Sequence, residues 1–211
     1  MADLRLRADR ILERLQSSNP DPRTELLYHT PFQLLVAVVL SAQATDKSVN
    51  RCTESLFQDG FDAAAAVRLG PEGLLAHIRS IGLAPTKAKN VARLAELLIA
   101  EHGGAVPHSR EALEALPGVG KKTASVVLAE LYNEPTLAVD THVFRVTQRL
   151  GLQGERSPEK AEQRLLAVVR AEWLPRAHHW FILHGRYVCK ALKPDCAHCV
   201  LRDLCPSRNI N

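Results

Sequence analysis

The sequence lacks any apolar run long enough to cross a membrane. Its most apolar stretch, residues 34–40, is far shorter than the roughly 20 residues of a spanning helix. Residues 1–7 alternate in charge and lack the apolar core of a secretion signal, so we expect a cytoplasmic protein. Low-complexity segments and extended linkers are missing as well, so a domain boundary must fall at a short loop such as residues 133–135.

A strong excess of charge of either sign is also missing. The 27 basic residues exceed the 23 acidic ones by a formal net charge of +4. A basic face could meet phosphates, but an excess of this size identifies no partner. With 211 residues, of which 46% are hydrophobic, the chain can bury a substantial core in one large domain or two small ones.

Strand-like alternation is the third absence, because no stretch alternates for long enough to form a sheet. Apolar residues recur instead at helical spacing, as Val143, Val146 and Leu150 do. The sequence therefore predicts an all-α protein. Besides helices after Thr30 and Thr45, the predicted helical segments are 4–17, 62–68, 71–80, 86–102, 109–116, 121–132, 141–150, 157–171 and 173–188.

The segment after Thr30 has the start signals of a central helix. Thr30 can cap it, a proline fits the first turn, and Gln33 completes a capping box. Residues 34–40 are apolar on every side, which favours a helix at the centre of a bundle, with a buried strand as the alternative. Thr45 can cap the next helix, whose apolar stripe predicts that Cys52 is a core residue.

Residues 116–120 (LPGVG) break a short helix capped by Ser109 before Lys121 begins another helix. This pattern predicts two helices joined by a tight hairpin. Gly118 and Gly120 allow positive φ and a close approach to a ligand, and the N–H groups at the start of the second helix suit a phosphate. A glycine-rich connector between packed helices would give the same pattern, so both interpretations stay open.

Lys122, at the start of that second helix, has two candidate roles. A lysine beside a DNA-binding turn is usually a phosphate contact. It can instead attack carbon when it is unprotonated, a state favoured by the positive end of a helix, the neighbouring Lys121 cation and partial burial. The local pattern alone prefers the phosphate contact.

Asp140 lies between an apolar approach and an amphipathic helix. Aspartate is a common helix cap, and a first-turn histidine such as His142 is often simply hydrogen-bonded. A nucleophilic Lys122 would need a carboxylate to accept its proton or to stabilise positive charge developing on a sugar. Asp140 is therefore a candidate for that role, with capping as the alternative.

Four of the five cysteines, Cys189, Cys196, Cys199 and Cys205, form a C-x6-C-x2-C-x5-C pattern after a predicted helix. In a reducing compartment such clustering indicates a metal site rather than disulfides. Structural zinc sites usually pair two C-x2-C knuckles and this loop has one, so the spacing favours a [4Fe–4S] cluster over zinc. Basic residues in the loop could hold it against a DNA backbone.

The order of these elements resembles the endonuclease III family of DNA glycosylases, which belongs to the helix-hairpin-helix superfamily and carries an iron–sulfur cluster. The resemblance covers nearly the whole chain. Besides the hairpin, the Asp140 segment and the four cysteines, it includes residues 41–46 (SAQATD), 81–83 (IGL) and 183–187 (LHGRY).

The resemblance implies two helical domains with the active site in the cleft between them. A six-helix barrel with the helix-hairpin-helix would span residues 23–134, and an iron–sulfur cluster domain would join residues 1–22 to 135–211. Lys122 would attack C1′ of the damaged nucleotide's sugar, expel the base and form a Schiff base. β-Elimination would then nick the strand 3′ to the lesion. Asp140 would assist the first step.

The resemblance also implies duplex DNA with damaged bases or abasic sites as the partner. A stacked base must be flipped out, and side chains then fill the gap. Gln43 and Leu83 match the family's inserting positions, although alone they would indicate a polar helix end and an inward-packing loop residue. The further residues that we expect at the DNA are Leu116, Gly118, Val119, Gly120, Lys121 and Lys193.

Lysine at position 122 implies the bifunctional branch, which cuts the strand as well as releasing oxidised pyrimidines. A monofunctional mismatch glycosylase is one alternative, and a non-catalytic iron–sulfur module for DNA binding or redox sensing is another. The chain departs from the family pattern after Leu83, where Pro85 stiffens the loop that would probe the orphan base. We expect a monomer that associates with the nucleoid through DNA binding.

Overall fold

The computed structural model describes residues 2–58 and 60–208. All regular structure in these ranges is helical, which confirms the all-α prediction. Within the same ranges, no helix combines the length and the hydropathy needed to cross a membrane. The helices of the described residues are α1 (Ala2–Ser18), α2 (Pro31–Leu40), α3 (Asp46–Thr53), α4 (Ala63–Ile78), α5 (Ala84–His102), α6 (Arg110–Glu114), α7 (Lys121–Tyr132), α8 (Thr141–Arg149), α9 (Pro158–Val168) and α10 (Leu174–Tyr187).

The chain divides into two compact units. The continuous unit, Thr24–Tyr132, holds α2 to α7, and the discontinuous unit joins Met1–Arg23 to Asn133–Asn211 and holds α1 and α8 to α10. In the continuous unit α4 packs along α5, α2 contacts α3, α5 and α7, and α6 packs on α7. In the discontinuous unit α8 packs on α10 and α9, and α1 contacts the same two helices. Each unit has its own apolar core.

Helix α2 is the centre of the continuous unit. All of its residues from Phe32 to Leu40 are buried, which confirms the central helix and rules out the strand alternative. Thr30 caps it by accepting a hydrogen bond from the Gln33 N–H at 3.2 Å. The Gln33 side chain accepts from the His29 N–H at 2.8 Å, one residue before the Thr30 N–H that a capping box would use.

Two predicted helices, 62–68 and 71–80, form the two arms of the kinked helix α4. The kink lies at Gly70, where φ is 62°. Pro71 follows it, and because proline lacks an N–H donor it fits the first turn of the second arm. The positive φ at position 70 explains why the residue there is glycine.

Two helices end earlier than the sequence predicts. Helix α6 ends at Glu114 rather than residue 116, because the Leu116 N–H turns back to the Leu113 carbonyl at 3.1 Å. Helix α9 ends at Val168 rather than residue 171, since Val169 has extended backbone angles. Both differences lie at helix ends, where local turns compete with the last helical hydrogen bonds.

Lys87, in the first turns of α5, is a charged residue inside the core of the continuous unit. Its side chain is 4% exposed, and its Nζ has no hydrogen-bond partner among the described residues. Burial lowers the pKa of Lys87 from its usual value of 10.5, and the nearby Cys52 thiol partly opposes that shift. An unpaired buried ammonium destabilises the folded state, because the protein does not replace the water that it loses.

We expect Lys87→Met to raise the free energy of unfolding at neutral pH by about 1–3 kcal/mol, because it removes a buried donor without opening a cavity. The unfolded chain binds the Lys87 proton more tightly than the folded chain, so wild-type stability rises with pH from the lowered pKa towards 10.5. The difference in unfolding free energy between Lys87→Met and wild type should therefore narrow as the pH rises through that range. Urea unfolding at several pH values measures both effects.

Lys89→Met is the matched control, because Lys89 is an exposed lysine on the same helix. Its unfolding free energy should stay within about 0.5 kcal/mol of wild type at every pH. A loss of stability in Lys87→Met would contradict the prediction and would mean that the ammonium has a stabilising partner in solution.

Candidate active site and cysteine pocket

The hairpin between α6 and α7 has one glycine with a positive φ. Gly118 has φ +83°, and a Cβ added there would lie 3.1 Å from both Asn90 Nδ2 and Val39 Cγ1. The hairpin therefore requires glycine at this position for both its conformation and its close packing. At Gly120 φ is not positive and an added Cβ would meet open space, so of the two glycines only Gly118 uses the positive φ that glycine allows.

The apolar residues of the hairpin fix it to the core. Leu116 is 3% exposed and Val119 is 6% exposed, and the Val119 N–H donates to the Leu116 carbonyl at 3.1 Å. Their side chains are therefore packing groups, and the hairpin presents backbone to solvent at Gly118 and Gly120. The Ala124 N–H closes the first turn of α7 on the Gly120 carbonyl at 2.9 Å, so the N–H groups before it lie at the open end of the helix.

Lys121 and Lys122 are the first two residues of α7, and both side chains are exposed. The partial burial of Lys122 predicted from the sequence is therefore wrong, because the buried residues of α7 begin only at Ala124. Arg110 supports this helix start: its Nη1 lies 3.1 Å from Ser125 Oγ and 3.5 Å from the Lys121 carbonyl. No local pattern in the sequence indicates that contact.

Asp140 is the N-cap of α8, as the capping interpretation predicts. Its Oδ1 accepts a hydrogen bond from the Val143 N–H at 2.7 Å, and its side chain is half-buried. His142 lies two residues further on, with Nδ1 3.2 Å from Arg145 Nη2, so the guanidinium is the donor. The capping bond through Oδ1 orients the carboxylate at the start of α8, and this orientation is compatible with a second role for Asp140.

Gln43 and Leu83 both have left-handed backbone conformations. Their φ angles are 55° and 61°, and both side chains are exposed, Leu83 by 57%. The structure brings their two turns together, because a Cβ added to Gly82 would lie 3.9 Å from the Gln43 carbonyl oxygen. A positive φ costs a residue other than glycine about 1–2 kcal/mol, so each turn holds a strained backbone under an exposed side chain.

Pro85 occupies a different position from the one the sequence suggested. Helix α5 begins at Ala84, directly after Leu83, and Pro85 lies in its first turn. Proline is well tolerated there, since the first N–H groups of a helix have no partner within it. The rigid element after Leu83 is therefore a helix start rather than a stiffened loop.

The four cysteines of the C-terminal pattern line one pocket, together with His184 and Arg149. All four are half-buried free thiols, whereas Cys52 is buried in the other unit as predicted, with its Sγ 3.0 Å from Ser80 Oγ. Among the described residues, no group of three or more His, Cys, Asp or Glu side chains is arranged to hold a metal ion. The four cysteines are Cys189, Cys196, Cys199 and Cys205.

Arginine side chains hold the backbone around this pocket. Arg149 Nη1 donates to the Lys190 carbonyl at 2.7 Å and lies 3.5 Å from Cys189 Sγ. From α1, Arg7 Nη1 donates to the Leu204 carbonyl at 2.8 Å. These charged donors satisfy carbonyl groups of an irregular loop that has no helix or sheet to pair with.

Burial shifts the pKa values of three side chains that line the pocket. Burial raises the pKa of the Cys199 and Cys205 thiols, with a smaller opposing effect from a backbone N–H donor in each case. Burial also lowers the pKa of His184 to about 4, so this histidine is neutral at physiological pH, with Nε2 3.6 Å from Cys199 Sγ. Lys193, in the same loop, is exposed and has φ 52°.

The chain matches known DNA repair proteins over most of its length. Residues 36–171 match the family model described as HhH-GPD superfamily base excision DNA repair protein. Endonuclease III of Rickettsia felis is 51% identical over 95% of this chain and 94% of its own length. Endonuclease III of Escherichia coli K12 is 51% identical over 92% of each chain.

Solved structures give the same result. A trapped covalent intermediate of endonuclease III with DNA, in an estranged-adenine complex, has a TM-score of 0.89 and 40% identity, covering 97% of this chain and 96% of that one. A thermostable thymine-DNA glycosylase shares the fold, with a TM-score of 0.82 at 22% identity over 96% of each chain. The chain therefore belongs to the endonuclease III family, within the HhH-GPD superfamily of base excision DNA repair proteins.

Proposed function

We propose that this DNA glycosylase and AP lyase removes oxidised pyrimidines from duplex DNA through a covalent intermediate on Lys122. The observation that carries the proposal is an exposed primary amine in the first turn of α7, directly after the Gly118 hairpin. The similar solved structure of a trapped covalent endonuclease III–DNA intermediate supports a covalent step. The proposed partner is duplex DNA with damaged bases or abasic sites, bound by a cytoplasmic monomer.

In this mechanism the neutral Nζ of Lys122 attacks C1′ of the damaged nucleotide. The N-glycosidic bond breaks and the base leaves with a proton, which gives an amine bound to C1′ of a closed sugar ring. The C1′–O4′ bond then breaks, O4′ takes a proton, and the C1′=N bond of the Schiff base forms. Loss of a proton from C2′ then breaks the bond between C3′ and its phosphate oxygen, which nicks the strand 3′ to the lesion. Hydrolysis releases the lysine. Asp140 assists the first step by stabilising positive charge on the sugar as the base departs.

DNA contact is proposed for the exposed groups described above. The open end of α7, with the backbone of Gly118 and Gly120 and the Lys121 cation, suits a phosphate. Gln43 and Leu83 would enter the space left by the flipped nucleotide, because both side chains already extend from their turns into solvent. Leu116 and Val119 would contribute through their backbone, since their side chains are in the core.

The cysteine pocket suits a [4Fe–4S] cluster in its donor chemistry. Four soft thiols line one pocket, and each iron of such a cluster takes one thiolate, so its ligands are more widely spaced than those of a single ion. Donors to sulfur are also present: the Leu201 N–H lies 3.4 Å from Cys199 Sγ. When bound, the cluster would supply rigidity to the loop that carries Lys193. We propose that the two units correspond to the domains 23–134 and 1–22 with 135–211.

The nucleophile can be tested by borohydride trapping. Lys122→Ala should lower the yield of covalent enzyme–DNA adduct by about 10³-fold or more, because it removes the proposed nucleophile. The substrates are duplexes with an oxidised pyrimidine, an oxidised purine, a mismatch or an abasic site, compared by single-turnover gel assay. Oxidised pyrimidine and abasic duplexes should give adducts with the wild-type protein, and the other two should not.

Lys121→Ala is the matched control, since it removes the adjacent exposed lysine. It should still form the adduct at saturating enzyme, while binding more weakly and with a lower salt dependence. Trapping of Lys122→Ala at the wild-type rate would refute the assignment. Base release that leaves the strand intact until alkali is added would instead identify a monofunctional enzyme.

The cofactor proposal predicts a coloured protein. Purified wild type should contain iron and sulfide and show the visible absorption of an iron–sulfur cluster, and Cys196→Ser should lose most of it. Cys52→Ala is the control, because that thiol is buried in the other unit, and it should keep the absorption in full. A colourless wild type with about one bound zinc would contradict the proposal.

The inserting role of Leu83 predicts a specific loss on duplex substrates. Leu83→Ala should lower the single-turnover rate on a duplex lesion by about tenfold, with a smaller effect on a single-stranded lesion, where no duplex must be held open. Leu27→Ala truncates a leucine of similar exposure in the same unit and should leave both rates unchanged. Equal losses on both substrates would argue against insertion.

A further inference from the structure

The segment that precedes Asp140 is buried, although its backbone is irregular. Leu137 and Ala138 are 0% and 2% exposed, and Val139 is 8% exposed, yet none of these residues belongs to a helix. Buried backbone groups outside regular structure need hydrogen-bond partners from elsewhere. The partner of one such group therefore determines where this segment, and with it the N-cap of α8, lies.

Helix α10 supplies that partner through His178. Its Nδ1 lies 2.9 Å from the Ala138 carbonyl oxygen, and the side chain is 7% exposed. Because a carbonyl can only accept, the proton of this hydrogen bond is on Nδ1. The bond joins α10 to a residue two positions before Asp140, and the contact stays within the discontinuous unit.

A second contact holds α8 at a fixed distance from α10. A Cβ added to Gly185 would lie 3.0 Å from His142 Cβ and 3.0 Å from Val146 Cγ2, so the two helices touch where glycine leaves room. Arg145 Nη2 donates to the Gly185 carbonyl at 2.9 Å. With α8 held against α10 at Gly185, the His178 bond sets the direction from which the chain enters the Asp140 cap.

We propose that His178 is a positioning residue for Asp140: through the Ala138 carbonyl it fixes the carboxylate that assists base release. This inference rests on the proposed function, in which Asp140 acts as the base departs, a step that a preformed abasic site no longer needs. A misplaced carboxylate should therefore slow base release and leave abasic-site cleavage intact. Loss of the fold would instead lower both activities.

The test uses the full-length protein with two substrates, one carrying an oxidised pyrimidine and one carrying a preformed abasic site. His178→Leu should lower the single-turnover rate of base release by about tenfold or more, and change abasic-site cleavage by less than about twofold. His178→Asn should restore base release to within about threefold of wild type, because its amide can donate near the position of Nδ1.

Gln153→Leu is the matched control. Gln153 is also buried, and its Nε2 donates to the Phe144 carbonyl of α8 at 3.0 Å, further along the helix than Asp140. Gln153→Leu also removes a buried side-chain donor to a backbone carbonyl of the discontinuous unit, so it should keep both activities near wild type. Equal losses in His178→Leu and Gln153→Leu, or unchanged base release in His178→Leu, would overturn the inference.

Two further variants keep the result decisive. If His178→Leu does not fold, as judged by circular dichroism, His178→Gln replaces it, because its longer amide cannot donate from the Nδ1 position. In that case His178→Asn must release base about tenfold faster than His178→Gln. Asp140→Asn tests the role of Asp140 separately from that of His178. If Asp140→Asn retains base release, the proposed role of Asp140 fails. If Asp140→Asn loses base release while the His178 variants keep it, only the positioning role of His178 fails.

Discussion

The burial of α2 on all sides is the constraint on which the continuous unit depends. A helix without a polar face is stable only when its neighbours cover it, and α3, α5 and α7 contact this one. Gly118 lies against Val39 of α2, and Gln43 follows the end of the helix after a short turn. The same packing requirement therefore locates both the hairpin before Lys122 and one of the two proposed inserting residues.

The discontinuous unit depends on hydrogen bonds from side chains to irregular backbone. Much of its backbone near Asp140 and around the cysteines is irregular, so helices cannot satisfy its carbonyl groups. Side chains from neighbouring helices do so instead: His178 for Ala138, Arg149 for Lys190 and Arg7 for Leu204. Such bonds are short and charge-assisted where arginine is the donor, which gives an irregular segment a defined position. The positions of the proposed functional groups of this unit therefore depend on hydrogen-bond donors that are distant in the sequence.

Sequence reasoning succeeded where the interaction is local. The caps formed by Thr30, Thr45, Ser109 and Asp140 each involve an N–H three residues further on, so a short pattern contains both partners. The buried ammonium of Lys87 and the His178 bond could not be predicted in this way, because burial and partner come from elements distant in the chain. The positive φ at Gln43 and Leu83 was missed for a related reason, since neither residue type signals a left-handed turn.

The exposure of Lys122 changes how its proposed chemistry must operate. An amine at an open helix end is surrounded by water in the free protein, so burial by the protein does not prepare it for attack. In the proposed mechanism the flipped nucleotide itself covers the amine and excludes that water. Reactivity then depends on completed insertion by Gln43 and Leu83, because an undamaged stacked base never reaches the lysine. An exposed nucleophile is therefore compatible with selective chemistry, provided that duplex opening, rather than the amine, determines which nucleotide reacts.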